Sequence, residues 1–140
     1  MIRRILVGVD GSPQGDKAFD FALQMASQFQ GELHCCCVVY GADIEMAEAC
    51  DREALVEKRR ARMRTHLQNL CSSADAQRVA PQTHLLEGHP VEQLLMLSER
   101  LDVDHMILGH RSKGLFERLL MGSVAKRVVD FARCSVTVVR

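Results

Sequence analysis

Residues 108–124 read LGHRSKGLFERLLMGSV, and they carry the residue types that an anion site needs. Gly109 closes the apolar run Met106-Ile107-Leu108, so the backbone can turn there and a ligand can come close. The segment His110-Arg111-Ser112-Lys113-Gly114 is short and basic. Gly122 and Ser123 stand before Val124 at a helix start, where unpaired backbone N–H groups and the helix dipole favour negative charge. Ser123 adds a hydroxyl donor, and Arg111, Lys113, Arg118 and Lys126 add positive charge nearby. Asp10, after the apolar run from Ile5 to Val9, suits acceptance of hydrogen bonds from ribose hydroxyls. Together these residues describe a nucleotide site. They also fit ordinary α/β punctuation, with glycine after a strand and Ser123 capping a helix without any ligand. Neither G-x-G-x-x-G after the first strand nor G-x-x-x-x-G-K-[ST] occurs, which argues against a dinucleotide site and a P-loop.

Other chemistry-bearing residues point less far. His34-Cys35-Cys36-Cys37 invites a metal or redox reading. On a strand, however, neighbouring side chains face opposite ways, so three adjacent thiols cannot converge on one ion, and cysteine is a good small core residue. His110 can touch a ligand phosphate or be an exposed loop histidine; His89 before Pro90 reads as turn chemistry. His66, His84 and His105 show no metal-ligand spacing with carboxylates, and no metal site is expected. No G-x-S-x-G elbow or triad arrangement marks a catalytic residue.

The elements that must position these residues are legible from periodicity. Ile5–Val9 is a buried strand, with Ser12 and Pro13 as the cap and first position of a helix. Ala18, Phe21, Ala22, Met25, Ala26 and Phe29 recur at helical spacing, and Gly31 ends that helix. Leu33–Val39 is a second strand. Residues 43–72 are helix-prone, with Met63, Leu67, Leu70 and Cys71 on one side; the run from Glu57 to Arg62 reads as a solvated face. Thr83–Glu87 is a third strand, and Val91, Leu94, Leu95 and Ser98 suggest a short helix. His105–Leu108 is a fourth strand, Val124, Val128 and Phe131 lie on a last helix, and Val136–Val139 is a fifth strand. Apolar strands alternating with helices predict an α/β fold, an open five-stranded parallel sheet with helices on both faces. Ligands in such sheets sit at the carboxyl ends of the strands, where strand order reverses. If strands one and four flank the reversal, Asp10 and Gly109 face each other across the crevice.

Bulk properties bound the function. At 140 residues the chain reads as one domain, 1–140. Hydrophobic residues make up 47% and charged residues 26%, too apolar for disorder. A formal net charge of zero argues against a nucleic-acid partner, and no membrane partner is supported. The opening MIRRILVGVD is too short for a signal core, and six cysteines without paired spacing read as reduced thiols in the cytoplasm.

With these residues in place, the sequence resembles the universal stress protein (UspA-like) family over essentially its whole length. The resemblance rests on Ile5 through Ser12, on Gly88-His89-Pro90, on Gly109 through Val124, and on Ala132 through Val139. ATP-binding members carry G-x-x-G-x9-G-[ST]. Here Gly109 and Gly122-Ser123 fall at the correct separation, Ser112 occupies the middle glycine position, and Gly114 is out of register. A serine there adds a Cβ where the glycine lets the backbone approach the phosphates.

The resemblance implies a Rossmann-like, adenine nucleotide alpha hydrolase-like domain that binds ATP with Mg²⁺ and acts in stress response through protein partners. Val9 and Val38 would line the adenine pocket, and Asp10 would contact the ribose or adenine side. Gly109 would begin the phosphate loop, Ser112 would stand where the middle glycine does, and Gly122, Ser123 and Val124 would hold phosphates. It also implies a homodimer built by pairing the C-terminal strands, which would cover the apolar edge Val136-Thr137-Val138-Val139. Three functions follow: a nucleotide-binding regulatory module, a dimeric interaction protein without nucleotide, and at most a slow ATP hydrolase. Ser112 favours the second. The third lacks an identifiable base, and Asp10 alone holds Mg²⁺ only with help from phosphate oxygens and water.

Overall fold

The computed structural model describes residues 1–110 and 121–140. In chain order the elements are β1 (Arg4–Val9), α1 (Pro13–Phe29), β2 (Glu32–Val39), α2 (Ala42–Met46) and α3 (Ala49–Ala74). A short 3-10 turn (Asp75–Gln77) follows, then β3 (Gln82–Glu87), α4 (Pro90–Arg100), β4 (His105–Gly109), α5 (Ser123–Phe131) and β5 (Ser135–Val139). The five strands form one sheet in the order β3-β2-β1-β4-β5, and every pairing is parallel. The chain winds outward from β1 to β3, returns to β4 and winds outward again to β5. The reversal therefore lies between β1 and β4, as Ile5↔His105, Leu6↔Met106 and Val7↔Ile107 register shows. This is the α/β sheet that the strand periodicity predicts, with β3 and β5 as its edges.

Strand alternation divides the core in two. Ile5, Val7, Leu33, Cys35, Cys37 and Ile107 face α1 and α3, where Phe19, Leu23 and Leu67 meet them. Leu6, Cys36, Met106 and Leu108 face the other way, onto Leu94 and Leu97 of α4 and Val128 of α5. Cys35 and Cys37 thus point away from Cys36, and all three are buried. Burial pushes the Cys36 thiol up to about 12 and the Cys37 thiol up to about 11, so both stay protonated and serve as apolar filler.

Local chemistry explains the element ends, with some departures from expectation. Ser12 caps α1, its Oγ accepting from Gly15 N at 3.1 Å. The buried stripe of α1 is Ala18, Phe19, Ala22, Leu23 and Ala26, while Phe21 and Phe29 are 39% and 51% exposed. The expected stripe is rotated because Phe19 and Leu23, one turn apart, are buried in the core against the sheet while Phe21 and Phe29 are not. Gln30, not Gly31, terminates α1 by taking the left-handed conformation at φ 52°. The helix-prone stretch 43–72 is two helices, because Ala47 and Glu48 are extended (ψ 149° and 156°). Met63 and Leu70 pack against the core beside Leu67, as the spacing requires.

Candidate functional site

The carboxyl ends of β1, β2 and β4 open into a cleft of about 510 Å³, within the size range of small-molecule sites. Asp10 is the first residue beyond β1. Its Oδ1 accepts hydrogen bonds from Ser12 N at 2.9 Å and from the Ser12 hydroxyl, while the same hydroxyl oxygen caps Gly15. One carboxylate oxygen is thus committed to the turn, and Oδ2 stands outside that network. Gly15 permits this arrangement: a Cβ there would lie 3.0 Å from Asp10 Oδ1.

Gly109 ends β4 on the opposite side of the reversal. Its lack of a side chain is a packing requirement, since a Cβ would lie 2.5 Å from the Gln14 carbonyl oxygen at the start of α1. Gly122 is the cap residue of α5, and it has no side chain to cap the helix. Ser123 is therefore the first helical residue, and its expected role as a capping serine is overturned. The first intrahelical bond runs from Lys126 N to Gly122 O at 2.9 Å. The N–H groups of Ser123, Val124 and Ala125 consequently have no partner within the helix. Gly122 has φ −61° and ψ 154°, angles that any residue adopts, so backbone strain does not explain a glycine there.

Val9, Asp10, Val38, Gly109, Gly122, Ser123 and Val124 all line this one cleft. Ser112, with Arg111, Lys113, Gly114 and Arg118, lies outside the described residues. His110 is not an exposed loop histidine: it is only 6% exposed, and its N–H donates to Val139 O at 2.6 Å, prolonging the β4–β5 ladder.

Sequence reasoning overlooked several wall residues. Tyr40 continues the alternation of Cys36 and Val38 just past the end of β2, and all three line the cleft; the period of two was the available signal. Arg59, Arg62 and Met63 come from α3. Arg59 is three residues from Arg62 and four from Met63, so it shares a helix face with each, and part of the expected solvated run 57–62 is a cleft wall. Arg59 grips Asp43 through Nη1 and Nη2 at 3.0 and 2.7 Å and donates to the Tyr40 carbonyl at 2.9 Å. That contact holds the Asp43 carboxyl below its usual range. Arg127 of α5 completes the basic rim. Among the described residues neither Arg62 nor Arg127 has an ion-pair partner, whereas Asp10 is the one carboxylate in the lining. In a chain of zero net charge, this concentrates positive potential at the cleft.

The cleft is divided by character. Cys36, Val38, Tyr40, Met63, Pro90, Val91 and Leu94 make an apolar half beside β2 and α4, and Gly109, Gly122, Ser123 and Arg127 make a polar half beside β4 and α5. Since β2 and β4 flank β1, these halves are about 10 Å apart, two strand spacings. A ligand with a flat apolar end and an anionic end fits such a division.

Elsewhere, His34 is buried and bonds His84 Nε2 through Nδ1 at 3.0 Å and Glu32 Oε1 through Nε2 at 2.8 Å. His66 Nε2 meets Asp16 Oδ1 at 2.8 Å, tying α3 to α1. Among the described residues no group of three or more His, Cys, Asp or Glu side chains could hold a metal ion. No helix among them is long and apolar enough to cross a membrane.

A family model described as the universal stress protein family matches residues 1–140. A universal stress protein of Methanocaldococcus jannaschii is 28% identical over 144 residues, spanning 100% of this chain and 83% of its own. Among solved structures, universal stress protein UspA from Lactobacillus plantarum has a TM-score of 0.86 at 23% identity, over 99% of this chain and 98% of that one. A universal stress protein in complex with cAMP has a TM-score of 0.71 at 22% identity, over 99% of this chain and 97% of that one.

Proposed function

Since the chain belongs to the universal stress protein family and has its five-stranded, adenine nucleotide alpha hydrolase-like sheet, we propose that it binds an adenine nucleotide, ATP with Mg²⁺, in the cleft at the β1–β4 reversal. The single observation that carries this reading is the gathering of Val9, Asp10, Val38, Gly109, Gly122, Ser123 and Val124 around one cleft. Val9 and Val38 would line the adenine end, and Asp10 would receive a ribose hydroxyl through Oδ2. The N–H groups at the start of α5, with the Ser123 hydroxyl and Arg127, would take phosphate oxygens, an anion at a helix N-terminus being favoured by dipole and free donors together. The residues present fit the group: a basic rim, helix-start donors that have no partner among the described residues, and an apolar end about 10 Å away, two strand spacings. That a related universal stress protein is found with cAMP supports an adenine ligand.

The protein would act in stress response in the cytoplasm, as a homodimer paired through β5, signalling its nucleotide state to protein partners. A second reading, a dimeric interaction protein of the same fold without nucleotide, is favoured by Ser112 in the place of the middle glycine.

Calorimetric titration of nucleotide-stripped protein with ATP and Mg²⁺, beside a Gly122→Val variant, separates the two. Because Gly122 needs no special backbone angles, valine leaves the helix start foldable and fills the space before it. Saturable binding of one ATP per chain, lost in the variant, is the expected result. No binding to a folded wild type would transfer the function to the second reading.

A further inference from the structure

Resting on the nucleotide reading above, we infer that Tyr40 and His89 form the wall on which the base stacks, and that this pair makes the site selective for a planar aromatic ligand. Tyr40 continues the face of Cys36 and Val38, so its ring stands at the outer end of the apolar half of the cleft, and His89 faces it from the start of α4. The ring centroids are 5.4 Å apart and the planes are tilted by 58°, so the two rings are not stacked face to face on each other.

Both rings are held from the backbone. Arg59 Nη1 donates to the Tyr40 carbonyl at 2.9 Å. Gly88 N donates to Val39 O at 3.3 Å, and Gly88 turns the chain at φ +131° immediately before His89 and Pro90, a conformation that glycine alone takes easily. Neither ring is used up by the core: Tyr40 is 38% exposed. Among the described residues no hydrogen bond engages the Tyr40 hydroxyl or the His89 ring. Two backbone-anchored, open aromatic rings beside the apolar half of a cleft with a basic rim provide a stacking surface for a heterocycle whose phosphates lie toward α5.

Tyr40 is the only tyrosine in a chain without tryptophan, so its ring protons give an isolated magnetic resonance signal. Those resonances shift when ATP is added and stay fixed with tripolyphosphate, which has no base. In calorimetry Tyr40→Ala weakens ATP binding about tenfold and Tyr40→Phe changes it less than about twofold, because the ring face, not the hydroxyl, makes the contact. His89→Ala weakens ATP in the same direction and serves as the test if Tyr40→Ala does not fold. If ATP binds the wild type while the ring signal is silent and both alanine variants bind equally well, the stacking wall is overturned and the nucleotide reading survives. If the wild type binds no ATP, the nucleotide reading fails and the wall fails with it.

Discussion

A Cβ placed on Gly109 would lie 2.5 Å from the Gln14 carbonyl oxygen and 2.7 Å from its carbon. Both are backbone atoms and cannot step aside as a side chain would. Gly109→Ala is therefore expected to lower stability by about 1–3 kcal/mol, the range for overpacked sites, read as a shift in the urea midpoint with the slope unchanged. An unshifted midpoint would mean that α1 can slide off β4. His84 makes a second residue-scale prediction. Burial, with His34 and Arg100 beside it, holds its pKa below the ordinary 6.5. The unfolded chain therefore takes up a proton at higher pH than the folded one, so the stability contributed is complete above about pH 6.5 and is lost as pH falls toward the folded value. Geometry points the same way, because only one proton fits between His34 Nδ1 and His84 Nε2 at 3.0 Å. The urea midpoint should fall as pH drops below 6.5, with a shallower slope in His84→Gln. Some slope remains there, since burial also lowers the His105 pKa. An identical slope in both proteins would remove His84 from the account.

At the scale of elements, α1 and α2 are held in opposite ways. α1 is held by shape: Phe19 and Leu23 are buried against the sheet, while Phe21 is 39% exposed on the same helix. Phe19→Ala should cost about 3–5 kcal/mol, and Phe21→Ala about 0.5 kcal/mol or less, as at other surface positions. Equal losses would put the helix in the rotation that simple spacing suggests. α2 is held by charge: Arg59 binds Asp43, and Arg52 donates to the carbonyls of Ile44, Glu45 and Ala47. Exposed ion pairs contribute little to global stability, so Arg59→Ala should leave the melting temperature nearly unchanged. Amide exchange in residues 42–46 should quicken, because that segment has few other anchors. Unchanged exchange there would show that α2 is stabilised without the arginine.

For the molecule as a whole, β5, an edge strand of the sheet, carries the quaternary expectation. Val136 and Val138 are only partly buried where they pack against the core cluster of Leu6, Met106 and Val128, and Phe131 just before the strand is 64% exposed. Pairing two β5 strands would satisfy the edge. Sedimentation equilibrium should give twice the chain mass, and a single-chain mass at micromolar concentration would overturn the dimer.

Most of the architecture was legible in the linear order of residues because strands buried on both faces must be continuously apolar. Ile5–Val9 and Leu33–Val39 announce themselves in this way, Val136–Val139 does so by its β-branched run although it is an edge strand, and a capping serine followed by proline marks the start of α1. The pairing of Gly109 with Gly122-Ser123 at fixed separation was equally readable, and so was the placement of Asp10 at a strand end. What the order of residues could not contain is which strands lie side by side. The β3-β2-β1-β4-β5 order alone brings Asp10 within reach of Gly109 and the start of α5, because that contact joins segments about a hundred residues apart. The walls of the cleft depend on the same folding. Arg59 and Arg62 read as solvent-facing charge until α3 crosses the end of β2, and Tyr40 and His89 become neighbours only when β2 and β3 pair. His110 reads as a loop residue until the Val139 carbonyl takes its N–H. Periodicity determined where the strands and helices lie, since each pattern is local to its element, but the rotation of α1 that buries Phe19 and Leu23 in place of Phe21 and Phe29 was left to packing. Packing in three dimensions decided which polar groups share a cleft, since that depends on contacts that no local pattern encodes.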